Sequence, residues 1–212
     1  MARTFYSSRH LGNLATHVGD DPLKVARNRS TLASLLSSDE VVFMNQTHSN
    51  RVMEVGEVRQ DIYDCDAIIT SIKNLHLAVM VADCIPLLIS SNTYVAAVHV
   101  GRPGLVGRIA THTIEAMRDR GAKDFSAVIG PSVCADCYEV SPEMYVEVTR
   151  KFPATATTLE KHALDLQAGL RAELAALGVQ VEDFQICTKE SPEYFSYRRE
   201  RETGRQVGVI SL

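Results

Sequence analysis

Three short apolar segments crowd one stretch of the chain: LAVMVA (77–82), PLLIS (86–90) and YVAAVHV (94–100), bounded by Asp83, Asn92 and Gly101. Runs of this length, rich in aliphatic and β-branched residues, read as buried strands. The longer apolar run from Leu75 to Ile89 is broken by His76, Asp83, Cys84 and Pro86, and is too short to cross a bilayer. A sheet of this kind has to be covered by other elements, which the rest of the chain supplies.

Asp21-Pro22 gives an acidic cap with proline in the first turn, and Val25, Leu32, Leu35 and Leu36 follow at helical spacing, predicting a helix over 22–36. From Val106 the set Val106, Ile109, Ala110, Thr113, Ile114 and Met117 keeps one helical face, closed by Gly121. Ser141-Pro142-Glu143 starts a helix over 142–152, and Leu166, Leu170, Leu174 and Leu177 before Gly178 mark another over about 163–177. Further strands are expected at 126–130, 180–187 and 206–211. Helices and strands alternate without a regular βαβ rhythm, so a mixed-sheet α/β or α+β sandwich is predicted rather than a barrel. No linker or repeat interrupts the 212 residues, which read as one domain, 1–212.

The charge balance narrows the function. Lys plus Arg number 22 against 26 Asp plus Glu, and this net charge of −4 offers no general attraction to nucleic acid or to an anionic membrane. A small-molecule substrate is the default. Polar Ser7, Ser8, Arg9 and His10 follow the first residues, so no export signal is expected and the protein is assigned to the cytoplasm. Five cysteines, an odd number, argue for free thiols, with room for a metal ligand among them.

Three polar residues stand where bland core is expected: His48 in NQTHSN, Cys84 in VADCIP and His99 in AAVHVG. Two imidazoles and a thiolate suit zinc, and three protein ligands leave a fourth position for water or substrate. The bland alternative is two satisfied histidines and a small core thiol; separations of 36 and 15 residues fit no local metal-spacing rule. Cys134-Ala135-Asp136-Cys137 is a C-x-x-C without a second copy, favouring structural or incidental thiols over redox or metal chemistry. Asp83 suits a partner of the ligands, a proton acceptor or a strand-end cap. Arg198, Arg199, Arg201 and Arg205 form a basic cluster that is either a solvated face or, through Arg198, a phosphate contact.

The segments HVGDDP (17–22), VARNR (25–29), NQTHSNRV (45–52), DCDAIIT (64–70), LAVMVADCIPLLI (77–89), VAAVHVGRPGL (95–105), VIGPSVCADCYEV (128–140) and FSYRRERETGR (195–205) resemble, in order, the YfiH-type family. That family is also called multicopper polyphenol oxidase or laccase-domain, and includes purine nucleoside phosphorylases. The resemblance spans essentially the whole chain. It implies stacked mixed sheets flanked by helices, related to the cytotoxic necrotizing factor catalytic domain, and a metal, usually zinc with copper as the other candidate, on His48, Cys84 and His99. The chain departs from the family pattern at Arg102-Pro103, where Trp-Arg is usual, at Ser49 for Gly, and at Asp136 for one Cys of an adjacent pair.

The resemblance implies phosphorolysis of adenosine, inosine or methylthioadenosine, with nucleoside and phosphate as partners, in a monomer or homodimer. It also implies adenosine deamination, for which the lowered pKa of water on zinc is the physical link. A rival reading makes Cys84 a nucleophile with His99 as its base, for amide hydrolysis in peptidoglycan-precursor editing. Copper oxidation of phenols fits poorly, because seven histidines without an H-x-H pair are few for several copper centres. A non-enzymatic module with a structural zinc is the remaining alternative.

Overall fold

The computed structural model describes every residue of the chain except Met1, Asp39, Asp61 and Leu159. Among the described residues ten strands form two mixed sheets: β1 (Arg3–Tyr6), β2 (Val41–Phe43), β3 (Val52–Glu54), β4 (Ala67–Thr70), β5 (His76–Val81), β6 (Ile85–Ser90), β7 (Val95–Val100), β8 (Ser126–Ile129), β9 (Gln180–Asp183) and β10 (Gln206–Ser211). The smaller sheet has the order β1-β10-β5-β2 and the larger β3-β4-β7-β6-β8-β9. Most pairs are antiparallel; β2 with β5, β3 with β4 and β8 with β9 run parallel.

The near-continuous apolar character of β4 to β7 follows from burial on both faces. Ile68, Leu88, Val95 and Ala97 point between the sheets, where they meet Leu77 and Val79 of β5 and Ile210 of β10. Ile69, Leu87, Ile89, Ala96 and Val98 point the other way, onto α3 (Ile109–Arg118) and α5 (Leu166–Ala176). On the outer face of the smaller sheet Leu32 of α1 (Pro22–Leu35) packs on Ala78, Met80, Val207 and Val209. The result is a helix–sheet–sheet–helix sandwich. Truncating one of its fully buried leucines, such as Leu88, would cost about 2–5 kcal/mol.

The expected elements are present with shifted ends. The helix predicted from Val106 begins instead at Ile109, as α3, because Arg108 is in the left-handed region at φ 56°; Val106 ends a separate short helix, α2 (Arg102–Val106). The helix expected at 163–177 starts at Leu166 because the Asp165 side chain caps Ala168 N–H, while Ala163 and Leu164 make isolated bridges to Glu139 and Ala156. The strand expected over 180–187 ends at Asp183, ahead of Gln185 at φ 54°. Ser141 caps α4 (Pro142–Lys151), and the one-turn α6 (Tyr197–Glu200) begins at Ser196. Among the described residues no helix is long and apolar enough to cross a membrane.

The path of the chain between the sheets positions the site. β5 belongs to the smaller sheet and β6 to the larger, and Ala82, Asp83 and Cys84 make the crossing. β7 runs antiparallel to β6 with His99 opposite Pro86, so His99 lies beside the end of that crossing. His48 lies on the loop from β2, an edge strand of the smaller sheet, to β3, an edge strand of the larger.

Candidate metal centre

The side chains of His48, Cys84 and His99 converge, with one ligand-type atom from each within 4.8 Å of the others. Cys84 Sγ lies 3.8 Å from His48 Nε2, and the two imidazoles meet edge to face at 4.7 Å between centroids. Gly101 makes room for them: a Cβ there would come within 2.9 Å of the His48 ring and 3.2 Å of Cys84 Sγ. The donor set and its glycine-lined approach fit a borderline-soft divalent cation such as zinc.

Asp66, fully buried between Cys65 and β4, organises two of the three groups. Its carboxylate accepts the backbone N–H groups of Thr47 (3.2 Å), His48 (3.0 Å) and Ser49 (2.6 Å), and the Ser49 hydroxyl (2.7 Å). Those bonds hold His48 at φ 58°, a left-handed conformation that a non-glycine residue keeps only when its surroundings dictate it. The same carboxylate lies 2.8 Å from His99 Nδ1. Burial alone would raise the Asp66 pKa, but the hydrogen bonds from His99 and Ser49 outweigh it and hold the carboxyl well below its usual range. An ionised carboxylate only accepts, so Nδ1 carries the proton and Nε2 is the nitrogen left for a ligand.

Electrostatics favour a thiolate here. Burial pushes the Cys84 thiol up, but the His99 charge and the His48 hydrogen bond outweigh it and bring the pKa down to about 6. Burial likewise lowers His99, and the attraction of Cys84 and Asp66 reverses this, to about 9. Without an ion this is a thiolate–imidazolium pair, and a bound cation would take the place of the His99 Nε2 proton.

The three groups open into a cleft of about 590 Å³, within the usual range for small-molecule sites. Its wall carries Lys161, Lys189, Arg198, Arg201 and Arg205, an excess of positive charge on a chain of net charge −4. Arg198 sits 4.1 Å over the Tyr138 ring and donates from Nη1 to Glu139 O. Arg199 does not join them: its guanidinium binds the carbonyls of Thr188, Lys189, Ser191 and Tyr194, tying down that loop. Asp83, at φ 89°, accepts on its carboxylate from Thr188 Oγ1 and the backbone N–H of Arg198, both at 2.7 Å. It therefore orients the arginine segment rather than the triad.

Sequence reasoning did not single out Asp66, His17, Gln46, Tyr138 or Gly101. For Asp66 a signal existed: an acidic residue directly before the apolar run AIIT. Gln46 pairs its side chain with both backbone groups of Met80, extending β5 beside the cleft. His17 lines the same cleft, and burial, then the charges of Arg205 and Arg29, lower its pKa. A second convergence brings Cys134, Cys137, Cys187 and Glu190 within 4.8 Å of one another. The sequence exposed only the first two as a pair.

Residues 4–212 match the family described as multi-copper polyphenol oxidoreductase laccase. A purine nucleoside phosphorylase of Corynebacterium glutamicum is 43% identical over 212 residues, covering 94% of this chain and 86% of that protein. An adenosine deaminase of an unknown prokaryotic organism is 36% identical over 217 residues, covering 88% and 81%. The crystal structure of the Bacillus licheniformis hypothetical protein YfiH superposes with a TM-score of 0.91 at 27% identity, covering 100% of this chain and 92% of that one.

Proposed function

The chain belongs to the multi-copper polyphenol oxidoreductase laccase family, and from that premise we propose that it is a purine nucleoside phosphorylase that also deaminates adenosine. The observation that carries the reading is the triad of His48, Cys84 and His99 opening into a cleft walled by arginine and lysine. Relatives named for these two activities match over most of their length, which supports it. Residues 1–212 act as one catalytic unit in the cytoplasm, with nucleoside and phosphate as substrates. His48, Cys84 and His99 hold zinc. When bound, zinc supplies Lewis acidity and a lowered pKa for water, about 7 in place of about 15.7.

The chain's own residues account for binding and orientation. In phosphorolysis a phosphate oxygen forms a bond to the anomeric carbon of the ribose. The glycosidic bond breaks, its electron pair leaves with the purine, and the base takes up a proton. Arg198, Arg205 and Lys189 supply the charge that holds the phosphate dianion. Arg198 lines the cleft with its guanidinium over the Tyr138 ring and Nη1 donating to Glu139 O. Tyr138 keeps its proton on the phenolic oxygen, since burial and the Cys84 charge both raise its pKa. In deamination water adds at C6 of adenine and ammonia departs, with the glycosidic bond intact.

The test follows hypoxanthine and adenine release from inosine and adenosine, with and without phosphate. Base release that needs phosphate is expected, together with ammonia from adenosine; absence of both would end the proposal. Arg198→Ala should raise the KM for phosphate about tenfold while changing kcat less. An unchanged KM would remove Arg198 from the phosphate site.

A further inference from the structure

We propose that Cys134, Cys137, Cys187 and Glu190 form a second metal site, a closed structural one for zinc, that pins two loops at the rim of the cleft. Their four ligand atoms lie within 4.8 Å of one another. Around a tetrahedral ion with bonds near 2.3 Å, neighbouring donors stand roughly 3.8 Å apart, so small side-chain movements suffice.

The backbone prepares this convergence. Cys134 and Cys137 flank a tight turn in which Cys137 N–H donates to Cys134 O at 3.1 Å. Ser132, two residues earlier, forms a parallel bridge with Cys187, with Ser132 N–H to Ile186 O and Thr188 N–H to Ser132 O, both at 3.1 Å. Cys187 and Glu190 are thereby carried alongside the turn. The Cys187 sulfur accepts the backbone N–H of Cys134 at 3.4 Å. Amides aimed at a sulfur stabilise its anionic, metal-ligating form.

Glu190 separates a metal site from a disulfide. A disulfide would use two of the three thiols and leave the third, and the carboxylate, without a role. Glu190 Oε1 instead lies 3.4 Å from Cys137 Sγ and 3.9 Å from Cys134 Sγ, the place of a fourth donor. Four protein donors complete a tetrahedral ion and leave no position for substrate. The site is therefore structural even though Cys137 borders the cleft, as do Asp136, Tyr138, Glu139 and Lys189 on the two joined loops.

The experiment measures zinc per chain, and the thiolate-to-metal absorption after exchange with cobalt(II), for wild type, Cys84→Ala, Cys187→Ser and Glu190→Gln. Cys84→Ala should keep one zinc per chain and a strong band from three thiolates. Cys187→Ser should lose that band. Glu190→Gln, which preserves shape, should keep its fold by circular dichroism and release this zinc to a chelator at least about tenfold faster. A Cys84→Ala protein with no tightly held zinc and no cobalt–thiolate band overturns the proposal even if Cys187→Ser does not fold. So does an intact mass two hydrogens light, the mark of a disulfide. Neither result bears on whether the wild-type protein cleaves nucleosides.

Discussion

The two clusters of metal-ligating side chains border one cleft yet are built on different principles. His48, Cys84 and His99 supply three donors from strand ends and from the crossing between sheets, with a fully buried carboxylate fixing two of them. Cys134, Cys137, Cys187 and Glu190 supply four donors, all from a tight turn and a loop. Three donors on a rigid frame suit a reactive centre with a coordination position to spare, and four on loops suit a clasp. Under the two proposals, donor number and the stiffness of the supporting backbone, rather than the presence of cysteine, separate chemistry from architecture.

The largest expected effect that would break this contrast is in Cys84→Ala. Turnover of nucleosides should fall by roughly a thousandfold or more, with the triad's metal lost and the four-donor cluster's metal retained. Retained turnover would assign catalysis elsewhere.

Removing the support instead of the ligand should give an intermediate loss. Asp66→Ala strands the Thr47, His48 and Ser49 amides and the His99 Nδ1 proton, destabilising the fold by about 3–5 kcal/mol in denaturant titrations. Asp66→Asn should fold better and bind zinc about 10–100-fold more weakly. Because the folded pKa of Asp66 lies below its unfolded value, its stabilisation is complete above about pH 4 and disappears as the pH falls. The Asn variant should accordingly lose part of the wild type's acid-side decline in Tm. An identical decline in both would mean that other carboxylates dominate it.

The smallest effect sharpens the contrast through pH alone. In chelator-treated protein, iodoacetamide should label Cys84 with a half-maximal rate near pH 6, because its thiol is brought down to about 6. Cys65, pushed up to about 12 by burial in the core, should stay unlabelled while the fold persists. Mass mapping of labelled peptides across pH reads both. A profile for Cys84 centred near that of an ordinary thiol would remove its ion pair with His99.

What the sequence disclosed follows the same division. Strands β5, β6 and β7 are legible because burial on both faces leaves apolar runs, and the polar interruptions Cys84 and His99 stand out against them. Strands β1, β2 and β3 are short and only partly buried, so neither alternation nor apolar density marks them. Gly107, the C-cap of α2, marks the break before α3, but the apolar period running through Val106, Ile109 and Ala110 masks it. Asp66 belongs to the core by burial but to the polar class by composition, and its role depends on three amides from a distant loop. Cys187 and Glu190 reach Cys134 through a single parallel bridge between irregular segments, which no local period encodes.

The passage of Ala82-Asp83-Cys84 from one sheet to the other has a consequence for how activity is gained and lost. The constellation sits where the chain passes between layers: His48 on the loop from β2 of the smaller sheet to β3 of the larger, Cys84 at the end of the crossing into β6, and His99 on β7 of the larger. Under the proposed function, activity therefore depends on both passages being in place, and is absent where the two layers have not docked. Graded loosening of the interlayer contacts should switch molecules off one by one, leaving each surviving molecule at full speed.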